Sequence, residues 1–185
     1  MMKNIYIVGV PRAGKSTLSK FIKNRYPFFN QISFEAIRNG FMESQPELDM
    51  GNRRSDARKN IMPKHIVTYA HWNNVILLCP SLVEGDFCSI EELYDLIDEN
   101  DSIICLGLGC RPIEEIVDGI QNNDTDKDYT KEWPRERLLL HFSDITISDK
   151  HNYDFCMKHN IPYYDTYDNR TNIFETIVEH IEDIK

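Results

Sequence analysis

The chain has 185 residues, which suits one domain with a sizeable buried core. Its 30 Asp and Glu outweigh 21 Lys and Arg, giving a net charge of −9. That balance argues against a nucleic-acid-binding surface, which needs a net basic face, but leaves room for small phosphorylated ligands held by a local positive cluster. No apolar run reaches bilayer length, so no membrane partner is expected.

The first predicted strand, Asn4-Ile5-Tyr6-Ile7-Val8, is rich in β-branched and aromatic residues. It begins too early in the chain to leave room for a signal peptide, so a cytoplasmic protein is expected. Directly after it comes Gly9-Val10-Pro11-Arg12-Ala13-Gly14-Lys15-Ser16, the pattern G-x-x-x-x-G-K-[ST] of a phosphate-binding loop. Leu18, Phe21 and Ile22 then recur at helical spacing, with Lys20 and Lys23 opposite. Strand, glycine loop and helix therefore follow in the order that the motif requires.

Gly9 and Gly14 open backbone angles closed to other residues, so that successive N–H groups turn inward around an anion. The helix behind adds its positive dipole end. Lys15 brings a full charge to the β- and γ-phosphates, and the Ser16 hydroxyl suits a Mg²⁺ ligand. The stretch from Gly9 to Thr17, with Pro11, Arg12 and Ala13 between the glycines, is thus the expected seat of ATP and Mg²⁺.

Asn30 to Phe34 reads as a second strand ending at Glu35, and Ala36-Ile37-Arg38 leads into a loop or short helix near Gly40. From Glu43 the chain is polar and then basic (Arg53, Arg54, Arg58, Lys59, Lys64), a pattern that fits either a phosphate grip or a solvated face. Met62, Ile66, Tyr69 and Ala70 predict a helix, with Pro63 in its first turn. Val75 to Leu78 fits either its extension or a strand. Trp72 and Trp133 read as packing residues.

Ser81-Leu82-Val83 forms a third strand ending at Glu84-Gly85-Asp86, after the break at Pro80. Ser89 with Glu92 is a capping box. The almost wholly apolar Ser102 to Leu108 is a fourth strand, covered on both faces, and Pro112 opens the next helix. Asn122 to Glu132 is a charged loop. Two helices are expected beyond it, one from Arg135 to Phe142 and one from about Asp149 to His159. Pro162-Tyr163-Tyr164 is a fifth strand, and Ile173, Phe174, Ile177, Val178 and Ile181 mark an amphipathic last helix. The five cysteines (Cys79, Cys88, Cys105, Cys110, Cys156) match neither a disulfide framework nor a zinc site and read as buried thiols in a reducing compartment.

Alternating strands and helices predict an α/β fold with a parallel sheet covered on both faces, its ligands beyond the carboxyl ends of the strands. Glu35, Glu84, Asp86 and the glycine loop should gather there. No Asn-Lys-x-Asp or Asp-x-x-Gly marks a GTPase, and no strand ends in the Asp-Glu of a transport or motor ATPase.

On this loop and layout the chain resembles the small P-loop kinases of the nucleoside monophosphate kinase-like group, relatives of adenylate, shikimate and gluconate kinases. The resemblance implies one three-layer P-loop NTPase domain over 1–185, a five-stranded parallel sheet in the order 2-3-1-4-5, an acceptor-binding insertion at about 36–78 and a lid at about 122–137. It implies catalytic roles for Lys15, Glu84 or Asp86, Arg135 and Arg137, acceptor contacts from Glu35 and Arg38, and ATP with Mg²⁺ as cofactors. The function expected is phosphoryl transfer to a nucleotide or a small hydroxyl metabolite. The rival is a P-loop protein that binds or slowly hydrolyses nucleotide to regulate a partner. Two features depart from the group: Arg12 stands where glycine is usual, and the lid lacks a Cys-x-x-Cys pair.

Overall fold

A computed structural model describes residues 3–43, 62–85, 89–126, 128 and 130–183. Five parallel strands, β1 (Ile5–Gly9), β2 (Asn30–Ser33), β3 (Ser81–Glu84), β4 (Ser102–Gly107) and β5 (Tyr163–Asp165), lie in the order β2-β3-β1-β4-β5. Seven described helices accompany them: α1 (Lys15–Arg25), α2 (Phe34–Glu43), α3 (Met62–Leu77), α4 (Ile90–Leu96), α5 (Ile113–Asn123), α6 (Arg135–His159) and α7 (Arg170–Asp183). This is the three-layer P-loop NTPase arrangement.

Side chains alternate across a strand, so the central strand feeds two cores. Ile5 and Ile7 of β1 pack on one side with Leu82, Ile104 and Leu106, under α1, α5 and α7. Tyr6 and Val8 face the other side with Val83, Ile103 and Cys105, beneath Ile66 and Ala70 of α3 and Leu93 of α4. Because both faces of the sheet are covered, its strands are apolar throughout and their polar ends are left at the carboxyl edge.

Ser89 caps α4 as the capping box predicts, its side chain accepting from the Glu92 N–H at 3.0 Å. Pro112 precedes α5, and Val75 to Leu77 extend α3. Two expectations are corrected. Helix α2 starts at Phe34 with no intervening loop. The two helices expected between Arg135 and His159 are one helix of 25 residues. The polar run from Ser143 to Asp149 does not cap a break. Its hydroxyls donate back to their own helix, Ser143 to the Leu140 carbonyl at 2.8 Å, Thr146 to Ser143 at 2.8 Å and Ser148 to Asp144 at 2.9 Å. Trp72 is also corrected: it is 61% exposed on α3, while Trp133 packs against the core. Cys105 and Cys156 are buried as expected, whereas Cys79 and Cys110 are partly exposed, which corrects the reading of all the cysteines as buried thiols. Among the described residues no helix is long and apolar enough to cross a membrane.

Candidate functional site

Beyond the carboxyl edge of the sheet lies a cleft of about 1610 Å³, floored by the glycine loop and walled by α2, α5, the start of α6 and the β5–α7 turn. The loop leaves β1 at Gly9, whose φ is 133° and where a Cβ would stand 1.9 Å from the Leu106 carbonyl oxygen. Only glycine lets the chain pass so close to β4. At the other end Gly14 has φ 88° and caps α1. Between them Arg12 has φ 71°, a conformation that costs a non-glycine residue about 1 kcal/mol. The residue that departs from the kinase pattern therefore occupies a position where glycine would be unstrained.

Pro11, Arg12, Gly14, Lys15, Ser16 and Thr17 line the cleft. Gly9 lies beneath it against β4, and Ala13 is buried with its carbonyl taken by the Thr166 hydroxyl at 2.7 Å. Lys15 is 8% exposed, and its ammonium donates to the Val10 carbonyl at 2.8 Å. The Ser16 hydroxyl donates to Glu84 at 2.9 Å. Glu84 is buried at the end of β3, in register with Ile7 of β1 and Ser33 of β2. A hydroxyl and a buried carboxylate side by side, both oxygen donors, suit a hard divalent cation that retains several waters. Among the described residues no cluster of three or more His, Cys, Asp or Glu has metal-holding geometry.

Glu35 and Arg38, one turn apart on α2, both line the cleft. The buried Nε of Arg38 has no hydrogen-bond partner among the described residues. Asp86 lies outside the described residues, as do Cys88 and the basic residues Arg53, Arg54, Arg58 and Lys59; Lys64 is exposed on α3. At the start of α6, Arg137 lines the cleft with its guanidinium 3.8 Å over the Trp133 ring. Arg135 does not line the cleft but pairs with Asp118, which does, and at 2.9 Å with Gln121 of α5. Two residues apart on a helix, the arginines cannot share a face.

Several site residues escape the sequence reading. Thr166, just after β5, donates to the carbonyls of Ala13 at 2.7 Å and Gly107 at 3.0 Å, tying the glycine loop to β4. Arg170 lies against Gly14 and donates to the Arg12 carbonyl at 3.2 Å. Burial, then the nearby Arg12 charge, pulls its pKa down. Asp149, fully buried in α6, accepts from the Leu108 N–H at 3.0 Å, the Cys110 N–H at 3.1 Å and the Tyr163 hydroxyl at 2.9 Å. It fixes the β4–α5 turn, from which Leu108 reaches the cleft. Burial pushes the Asp149 carboxyl up against those donors. A signal for Thr166 and Arg170 was present in the sequence: a polar run directly after a strand, on the edge where such sheets bind ligands.

No protein-family model matches the chain, and neither does any curated protein sequence. Solved structures do match. One is a protein named as a putative kinase from Chloroflexus aurantiacus J-10-fl, with a TM-score of 0.59 and 17% identity over 100% of both chains. Another is shikimate kinase from Bacteroides thetaiotaomicron, with a TM-score of 0.51 and 10% identity over 100% of this chain and 98% of that one. The chain has the fold of the small P-loop kinases. At these identities the likeness is one of fold, and the chemistry has to be argued from the cleft.

Proposed function

We propose that the protein transfers the γ-phosphoryl group of Mg-ATP to a small acceptor that carries an anionic group. The observation that carries this reading is the convergence, in one cleft, of a glycine loop with a buried lysine, a serine–glutamate pair and the arginine of α2, whose Nε has no partner among the described residues. Phosphoryl transfer asks a protein for positioning and charge neutralisation more than for covalent chemistry, and these residues supply both.

Lys15 would leave the Val10 carbonyl for the phosphate chain, exchanging a neutral acceptor for a charged one. Ser16 and Glu84 would hold Mg²⁺, both offering oxygen donors. When bound, the ion neutralises developing charge on the phosphoryl oxygens. Arg137 stands at the cleft on the lid side, where a guanidinium would stabilise the group in flight. Glu35 and Arg38 would orient the acceptor, Arg38 by pairing with its carboxylate or phosphate. Glu84, engaged by Ser16, serves the metal side and leaves the acceptor hydroxyl to Glu35.

A panel of phosphorylated and carboxylated small acceptors, scored by ADP release, tests the reading. Acceptor-dependent ADP release that Lys15→Ala lowers by about a thousandfold supports it. ATP binding with no acceptor-dependent release from any panel member would favour the regulatory alternative. ATP affinity unchanged in folded Lys15→Ala would remove the phosphate seat altogether.

A further inference from the structure

The glycine-loop arginine is already occupied by carboxylates of the protein itself. Arg12 reaches across to the segment between α5 and α6, with one guanidinium nitrogen donating to Asp128 and the other to Asp124. The two carboxylates differ in how firmly they are held. The Asp124 side chain is 2% exposed and its second oxygen accepts from the Thr130 hydroxyl. Removing Arg12 from it would strand a buried charge. The Asp128 side chain is 27% exposed and lines the cleft, and its second oxygen is satisfied locally by the Thr125 N–H and hydroxyl, both at 2.8 Å. If Asp128 let go of Arg12, solvent would take the vacated place.

We infer that Asp128 is an intramolecular competitor for phosphate: its carboxylate holds the place on Arg12 that a phosphate oxygen of the ligand takes, while Asp124 keeps the guanidinium aimed. The inference rests on the reading of the cleft as a polyphosphate site. Two independent observations and one physical argument carry it. Arg12 and Asp128 both line the cleft, beside Lys15. The Arg12 backbone is clamped from behind, its carbonyl accepting from Arg170, so the loop does not have to reshape when the guanidinium changes partner. A carboxylate oxygen on a guanidinium nitrogen also has the geometry and charge of a phosphate oxygen there. The Asp128 carboxyl lies well below the usual carboxylate range, through the Thr125 N–H, then the Thr125 hydroxyl and then Arg12, so it competes as a full anion at neutral pH.

A site whose competent state is only a fraction of the population binds its ligand more weakly by that fraction. Asp128 and Asp124 are thus positioning residues that act through Arg12. Asp128 sets how much of Arg12 is free, and with it the ATP concentration at which the site fills.

Calorimetric titration of the full chain with inorganic tripolyphosphate and with Mg-ATP tests this, alongside thermal melts of each variant. Asp128→Asn removes the competing charge and keeps the turn, so both ligands should bind roughly five- to tenfold more tightly. Arg12→Ala should weaken both, and Asp128→Asn added to Arg12→Ala should change nothing more, a non-additivity that a merely structural tie would not produce. Asp128→Glu should restore wild-type affinity. Should Asp128→Asn fail to fold, Asp128→Ser keeps a hydroxyl for the Thr125 N–H and carries the same expectation. Unchanged or weaker binding by a folded charge-removed variant overturns the inference. So does tightening that persists without Arg12. Lys15→Ala separates the two readings: if it abolishes tripolyphosphate binding while Asp128→Asn leaves it unmoved, the phosphate site stands and the competitor falls.

Discussion

The two sides of the cleft are built differently. On the glycine-loop side, the proposed phosphate seat, polar atoms are pinned by hydrogen bonds from distant parts of the chain: Thr166 to Ala13, Arg170 to Arg12, and Asp149 to the turn after β4. On the α2 side, where the proposed acceptor would sit, Glu35 and Arg38 line the cleft and Arg38 keeps a buried Nε without a partner among the described residues, while Ile37, Tyr69, Trp72 and Ile76 of α2 and α3 are exposed. A polyphosphate chain has the same shape in every nucleotide, so its seat can be fixed in advance. An acceptor is specific to one reaction, and under the proposed function its contacts would stay open until it arrives.

The sharpest way to break this contrast is to loosen the pinned side. Asp149→Ala would orphan three donors, the N–H groups of Leu108 and Cys110 and the Tyr163 hydroxyl. At about 1 kcal/mol or more apiece the loss is about 3 kcal/mol, read as a drop of roughly 6–12 °C in melting temperature. Asp149→Asn retains an acceptor oxygen and removes a charge that burial disfavours, so it should lose less than half as much. If Asp149→Ala melts like wild type, the phosphate side is not pinned through α6.

The two sides meet where Gly85, at the end of β3, lies under Phe34 at the start of α2. A Cβ on Gly85 would stand 2.2 Å from the Phe34 Cβ. Overpacking of this kind costs about 2 kcal/mol, and what has to give is the first turn of α2, which carries Glu35 and Arg38. Gly85→Ala should therefore raise the acceptor KM several-fold and leave ATP affinity near wild type. Equal damage to both would mean that the cleft is one mechanical unit.

The same contrast separates what the sequence makes legible from what it hides. The glycine loop, the parallel sheet and Ser89's cap are local patterns: a few neighbouring residues with fixed backbone demands decide them. Glu84 was readable because a strand end is a position in the chain as well as in space. Asp149 was not. Its partners lie 39 and 41 residues away along the chain and 14 residues ahead, and its neighbours Ser143 to Ser148 imitate a helix start while bonding back to their own helix. The Arg12–Asp128 pair spans 116 residues, and nothing in the spacing of either end announces the other. Arg135 and Arg137 were readable as arginines at the start of a helix, yet which one lines the cleft depends on helix phase at Pro134, which backbone geometry alone decides.

Arg38 offers the finest test, because function and stability should move in opposite directions. A buried N–H without a partner costs about 1–3 kcal/mol, and removing the whole side chain from an α2 position also exchanges arginine for the best helix former. Arg38→Ala should therefore leave the unliganded protein as stable as wild type or more stable by about 1 kcal/mol. With the same change the acceptor KM should rise about tenfold or more, since the anion loses its charge-assisted partner, while ATP affinity holds. Lys at this position supplies charge but not the fork, so it should recover only part of the loss. A destabilised Arg38→Ala would mean that the Nε has a structural partner. An unchanged KM would mean that the acceptor's anionic group, if it has one, is held elsewhere. Only the combination of gained stability and lost acceptor binding fits a side chain kept in readiness for a ligand.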